Sequence, residues 1–262
     1  MPGEVRLAGE GPVARVVLSH PGKLNAMSRA MWRQLREIFV RLQADRGCRC
    51  IVVAGEGDAF CAGGDISEYE QFRFDEASLR AFHEDDVWGG LSAVQDCDVP
   101  VVAAIRGACM GAGVEIASCC DIRIASSEAS FGAPIARLGF PMAPREAQVV
   151  AAAVGEATAR QLLLEAAVLD AAEMKARGFV QHLCDPAKVE AQVQAVTSRI
   201  ASLAPGAARA NKRTLRAVRD RHDPARRDAA LQELAGAYRY APDPEHREGI
   251  AAFLAKRKPD FR

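Results

Sequence analysis

Two glycine-bearing stretches, AFCAGGDISEY (Ala59–Tyr69) and GACMGAGVEIASCCD (Gly107–Asp121), hold the residues of this chain best suited to chemistry. Consecutive glycines allow a tight turn whose backbone N–H groups can point at a ligand oxygen. Taken alone, Gly-Gly-Asp fits an ordinary turn equally well. In the second stretch a helix is expected to start near Gly111. Its first N–H groups lack intrahelical partners and carry partial positive charge, which suits a developing anion. The amide of Ala112 lies there, and Glu115 follows three residues later, about one turn along the same face. Val114, Ile116 and Ala117 flank that glutamate, and a carboxyl in an apolar wall tends toward a raised pKa. A carboxylate that is simply exposed, or paired with an arginine, fits the same residues.

The elements that must position these groups follow from apolar periodicity. VARVVL (Val13–Leu18), CIVVAG (Cys50–Gly55), VPVVAAIRG (Val99–Gly107) and DIRIA (Asp121–Ala125) read as strands, mostly as short buried runs of the parallel kind. Ser28 is placed to cap a helix whose apolar residues Met31, Leu35, Phe39 and Leu42 recur at helical spacing. A helix is expected over Ala77–Gln95, and the body of the second glycine stretch, Gly111–Asp121, reads as another. Strand, glycine turn and helix recur, which predicts an α/β architecture with parallel strands. Beyond Ala143 the β signal fades except near FVQHLC (Phe179–Cys184), and helical patterns take over. The expected division is an α/β core over 1–200 and a helical region over 201–262, suited to assembly or simply to enlarging the same globule.

Composition narrows the function classes. Lys plus Arg and Asp plus Glu are balanced at 34 each, so no net field draws the chain to nucleic acid or to anionic membranes. No apolar run reaches the ~18 residues of a membrane span, and the first residues lack a signal-peptide layout. The eight cysteines form no C-x-x-C pair and sit mainly in apolar runs, so packing in a reduced, cytoplasmic compartment is expected rather than a zinc site. Gly111-Ala-Gly113 lacks the third glycine of a dinucleotide fingerprint.

Six segments, HPGKLNAM, AFCAGGDISE, PVVAAIRGACMGAGVEIASCCDIRIAS, FGAPIARLGF, LDAAEMKARGFVQHLC and REGIAAFLAKRKPDF, together resemble the crotonase (enoyl-CoA hydratase/isomerase) superfamily along nearly the whole chain. The resemblance implies a spiral of ββα units followed by helices that build homotrimers, often paired into hexamers. It also implies that the N–H groups of Gly64 and Ala112 converge on the thioester carbonyl of an acyl-CoA. Negative charge collects on that oxygen when an enolate forms, and losing one fixed donor typically costs ~10²–10³ in rate. Glycine at 64 would leave room for the thioester, and Asp65 would hold the turn. The main chain of Lys23, Leu24 and Ala62 is implied in CoA binding, with Asp65 and Ile66 beside it. Phe253 and Lys256 match positions that in some members reach a neighbouring subunit's CoA. No separate cofactor is implied, since coenzyme A belongs to the substrate.

Hydratases of this family bracket a water with two glutamates. Glu115 matches the first, whereas the second falls on Ile135, and Ala143 stands where a glycine is usual. An isoleucine moves no proton. The expectation is therefore a hydratase-type enzyme working with one acid–base glutamate. The alternatives are another reaction of the family, such as isomerisation or decarboxylation, and a non-catalytic acyl-CoA-binding protein. His83, Trp88 and Arg137 are candidates for the acyl pocket, whose wall is expected from Phe72–Gly90. Glu146 has two readings: it reaches back toward the site, or, the plainer one, it is a surface residue of a helix paired with Arg145 or Arg160.

Overall fold

Short apolar runs become strands, and from the second onward a short strand or single bridge and then a helix follow in the first half of the chain. In the computed structural model, which describes residues 2–9, 11–223 and 225–261, the strands are β1 (Glu4–Ala8), β2 (Val13–Ser19), β3 (Cys50–Gly55), β4 (Val101–Ile105), β5 (Ala108–Met110), β6 (Ile122–Ser126), β7 (Ser130–Gly132), β8 (Val168–Asp170) and β9 (His182–Cys184). The helices of the first half are α1 (Arg29–Ala44), α2 (Glu76–Ala81), α3 (Trp88–Asp96) and α4 (Ala112–Cys119). The second half adds α5 (Pro144–Val154), α6 (Glu156–Leu164), α7 (Ala171–Ala176), α8 (Val189–Ala201), α9 (Pro205–Asp220), α10 (Arg227–Ala235) and α11 (Pro244–Leu254).

One sheet runs β1-β2-β3-β4-β6-β9, with β1 antiparallel to β2 and every other neighbour parallel. A second sheet, β5-β7-β8, lies beside it, and the parallel bridges Cys61–Cys109 and Met27–Gly64 extend its pattern. Each unit thus lends a long strand to one sheet and a short strand or single bridge to the other before its helix. This repeated unit is the α/β spiral expected from the sequence.

Alternation along the long strands sends side chains to two cores. Ile51, Val53, Val101, Ala103 and Ile105 pack with α1, α3 and α4. Cys50, Val52, Ala54, Val102 and Ala104 face Val189, Val193 and Val196 of α8. In α1 the residues Met31, Leu35, Phe39 and Leu42 are all buried, and burial of each is worth about 1.5–3 kcal/mol. Ser28 Oγ accepts the Met31 N–H at 3.2 Å. All eight cysteines are free thiols, and seven are buried.

The expected helix over Ala77–Gln95 is not uniform. Between α2 and α3 lies a widened π-helical turn, Phe82–Val87. It contains the buried carboxylate of Asp86, which accepts from Arg29 at 2.8 Å and Arg33 at 2.6 Å. Those contacts tie the turn to α1. Helix α9 is bound to the core through charge: Lys212 meets Asp121 at 2.7 Å and Arg216 meets Asp98 at 2.6 Å. Beyond it, Tyr238, Phe253 and Leu254 are exposed. Among the described residues no helix is long and apolar enough to cross a membrane.

Removing the cap of α1 tests the local logic. Ser28→Ala is expected to cost about 1 kcal/mol, read as an earlier denaturation midpoint with an unchanged slope.

Candidate active site

The two glycine stretches end up against each other because each follows a short strand of a successive spiral unit. Met110 N–H donates to the Cys61 carbonyl at 2.8 Å, and Gly111 N–H donates to Gly132 at 2.8 Å. Gly111, at φ +47°, holds a conformation that disfavours any side chain. The approach is close: a Cβ on Gly113 would sit 2.6 Å from the Cys61 carbonyl oxygen, and one on Gly111 3.6 Å from Gly63 Cα. Cys61 is completely buried in this contact, and burial pushes its thiol up to about 12. It packs rather than reacts.

This arrangement leaves two amides over. Met27 donates to the Gly63 carbonyl and accepts from Asp65 N–H, so it straddles Gly64 and leaves that amide unpaired. In α4 the first intrahelical bond runs from Glu115 N–H to Gly111, so the Ala112 amide is also unpaired among the described residues. Both residues line one cavity of about 340 Å³, together with Glu115. A pair of N–H groups in such a place can stabilise an oxyanion, and a carboxyl beside them can carry a proton.

Glu115 is enclosed by protein except toward the cavity, and no hydrogen bond from the described residues engages its carboxyl. Burial, and next the charge of Glu146, push its pKa up to about 8. The apolar neighbours had suggested that direction. Glu146 departs from the plainer of its two sequence readings and follows the other. It is only 2 % exposed, and it is bonded at 2.9 Å to His83 Nδ1 instead of to an arginine. Arg145 pairs with Glu84 at 3.3 Å and Arg160 with Glu156 at 2.7 Å. Helix α5 packs on α4, so its first turn faces the site instead of solvent.

The other expected residues divide. Ala62, Ile66, His83, Ile135 and Arg137 line the cavity; Trp88 does not, and instead stacks under Arg145. Asp65 is used by its own turn. It accepts from Ser67 N–H at 3.2 Å, Ser67 Oγ at 2.8 Å and Lys23 Nζ at 2.7 Å. The HPGKLNAM turn is fastened to the first glycine stretch: Asn25 Nδ2 donates to the Ala59 carbonyl at 2.8 Å, and Ala62 N–H donates to Leu24. Leu24 and Ile66 are exposed apolar residues on these two joined turns. Phe253 and Lys256, beyond the core, are exposed and do not line the cavity.

Other wall residues had no signal in the sequence. The pocket wall was expected from Phe72–Gly90, yet Pro134–Ala143 supplies at least as much of it. Tyr69 packs edge-on against Phe82 and Phe140 and sits over Gly64, where a Cβ would run into its hydroxyl. The room at Gly64 is thus filled by the tyrosine on one side. Burial raises the Tyr69 pKa, keeping the phenol protonated. Arg73 lies 3.5 Å over the Phe140 ring, and burial lowers its pKa.

Comparison with known proteins gives the family and the fold. The enoyl-CoA hydratase/isomerase family profile matches residues 8–262, and the chain belongs to that family. It is 32 % identical over 260 residues to the Rhizobium meliloti protein named "Probable enoyl-CoA hydratase", covering 97 % of this chain and 95 % of that one. It is 30 % identical over 256 residues to the short-chain-enoyl-CoA hydratase of Clostridium acetobutylicum, covering 97 % and 95 %. Among solved structures, an enoyl-CoA hydratase/carnithine racemase from Magnetospirillum magneticum superposes with TM-score 0.91 at 36 % identity, over 98 % of this chain and 95 % of that chain.

The raised pKa of Glu115 has a thermodynamic signature. Between its ordinary value and about 8 the folded protein holds a proton that the unfolded chain has released. Stability from this group is therefore lost as pH rises across that window. Glu115→Gln removes the effect, so its melting temperature relative to the parent should climb from pH 5 to pH 9. A difference that stays flat would show that the carboxyl is not held up.

Proposed function

We propose that the protein hydrates a 2-enoyl-CoA thioester through an enolate. The observation that carries this reading is that two amides unpaired among the described residues, Gly64 and Ala112, and one buried carboxyl, Glu115, whose pKa burial raises to about 8, share a single apolar cavity. The thioester oxygen lies between the amides, which stabilise the charge that develops on it when a nucleophile adds at Cβ. Glu115 carries a proton at neutral pH and delivers it to Cα. The apolar wall excludes water around the oxyanion and so strengthens both donors. Coenzyme A enters over the joined turns, along the main chain of Lys23, Leu24 and Ala62 with Ile66 beside it. In a homotrimer or hexamer Phe253 and Lys256 of a neighbouring subunit close over the nucleotide, where a lysine serves as a point charge for phosphate. The exposed Phe253 and Leu254 support burial of that surface on assembly.

Ile135 favours a second reading. With one carboxylate on the cavity, a proton can be moved between Cα and Cγ of a 3-enoyl-CoA without any water being activated. A mouse mitochondrial dienoyl-CoA isomerase, 39 % identical over 127 residues, is among the proteins similar to part of this chain.

With crotonyl-CoA, disappearance of the conjugated thioester absorbance is expected in the parent protein, at a rate reduced 10²-fold or more in Glu115→Gln. A 3-enoyl-CoA converted to its conjugated isomer, with crotonyl-CoA untouched, would favour the second reading. Acyl-CoA binding with no turnover would reject both. Lys256→Ala is expected to raise KM for the thioester several-fold with kcat unchanged, while sedimentation still reports three or six chains per particle.

A further inference from the structure

A hydratase with one carboxylate has a missing part: nothing on the Glu115 side takes the proton from the attacking water while Glu115 itself is giving one up. The cavity wall holds a second set of proton-handling groups. His83 lines the cavity from the π-helical turn, and Glu146 lies behind it on the first turn of α5. The Glu146 carboxyl is buried, and among the described residues its hydrogen bond is to His83 Nδ1 at 2.9 Å. With Glu146 ionised, its oxygen accepts and Nδ1 carries the hydrogen of this bond. In the neutral ring Nε2 is then the bare lone pair. Among the described residues, Nε2 has no hydrogen-bond partner. Fixing one ring nitrogen by a buried carboxylate so that the other can take a proton is the logic of base–orienter pairs in general. The support is rigid: Asp86 ties the π turn to α1 through Arg29 and Arg33, and Arg145 on α5 meets Glu84 on the turn.

We propose that His83, oriented by Glu146, is the second acid–base group of this site, in place of the carboxylate that Ile135 does not supply. This inference rests on the hydratase reading. The water oxygen bonds to Cβ as one of its protons passes to His83 Nε2. The C=C electron pair moves onto the thioester oxygen, and the enolate collapses as Cα takes the proton of Glu115. The imidazolium then returns its proton through solvent to the Glu115 carboxylate. The sum is one water added across the double bond, with no other reactant. His83 is the catalytic residue and Glu146 a positioning residue.

The test separates two reactions of the same site. Exchange of the Cα proton of butyryl-CoA into deuterated water needs the amides and Glu115 only; hydration of crotonyl-CoA needs the added base. His83→Ala is expected to lower kcat for hydration by 10²–10³-fold with exchange within about threefold of the parent, and Glu146→Gln to lower hydration by tenfold or more. Millimolar imidazole should restore hydration to His83→Ala at least tenfold. His83→Gln, which keeps the size and a hydrogen bond to Glu146, should be as slow as His83→Ala and should not respond to imidazole. The inference is overturned if His83→Ala hydrates within threefold of the parent. It is equally overturned if exchange and hydration fall together without rescue, because the pair is then only a tether between the π turn and α5. A parent protein that neither exchanges nor hydrates would overturn the hydratase reading as well.

Discussion

The arrangement depends on one close contact, the backbone of the first glycine stretch against the second. Cys61 and Gly113 approach so nearly that a methyl group would not fit between them, and the Met110 N–H bond to Cys61 fixes their register. This is strand pairing continued past the end of a short strand, where the chain turns away and stops using its own donors. Successive units of the spiral repeat the same geometry, so two such ends come to lie side by side. The unpaired amides of Gly64 and Ala112 are therefore consequences of how the units stack. They need no reorganisation to serve as the proposed donors, because the strands and α4 hold them.

Electrostatics then divides the labour between two carboxyls that a purely apolar cavity would not tolerate as equals. Glu115, with no hydrogen-bond partner, keeps its proton up to a pKa of about 8, partly because Glu146 is charged nearby. Glu146 is stabilised by its bond to His83. Ile135 stands where the second carboxylate is expected from the family resemblance, and the buried pair on α5 and the π turn is the proposed alternative proton path. The proposed chemistry is thus kept, with a different residue in one role.

Much of this was legible in the sequence, for physical reasons that differ from element to element. The long strands and α1 announce themselves by runs of Val and Ile and by the 3.6-residue spacing of Met31, Leu35, Phe39 and Leu42. The strands β5, β7 and β8 have three residues each, too few to show alternation, and exist only because the spiral stacks them. Glu115 could be singled out because its neighbours are apolar and a helix start precedes it. Glu146 could not. Its neighbours Arg145 and Ala147 suggest solvent, and what buries it is the packing of α5 on α4, a contact between parts of the chain some 30 residues apart. Tyr69 was hidden in the same way: five residues beyond Gly64, a 3₁₀ turn folds its ring back over the glycine. The π turn left no mark in composition, since Asp86 looks like any acidic residue until Arg29 and Arg33 are seen to meet it.

The walls of the cavity differ in how firmly they are held. The amide pair and Glu115 stand on strand ends and on α4, inside the larger core. Opposite them, Pro134–Ala143 is a 3₁₀ turn and an irregular stretch leading into α5, and it contributes Leu138, Phe140 and Met142 largely through side-chain contact. Changes there can alter the shape offered to an acyl chain without moving either donor. Changes at Cys61 or Gly113 cannot avoid moving both. In the proposed chemistry, reaction type is accordingly set by the strand-end side of the pocket and acyl preference by the Pro134–Ala143 side. His83 belongs with the first group, because the ties from Asp86 to α1 and from Glu146 to α5 hold it from two directions.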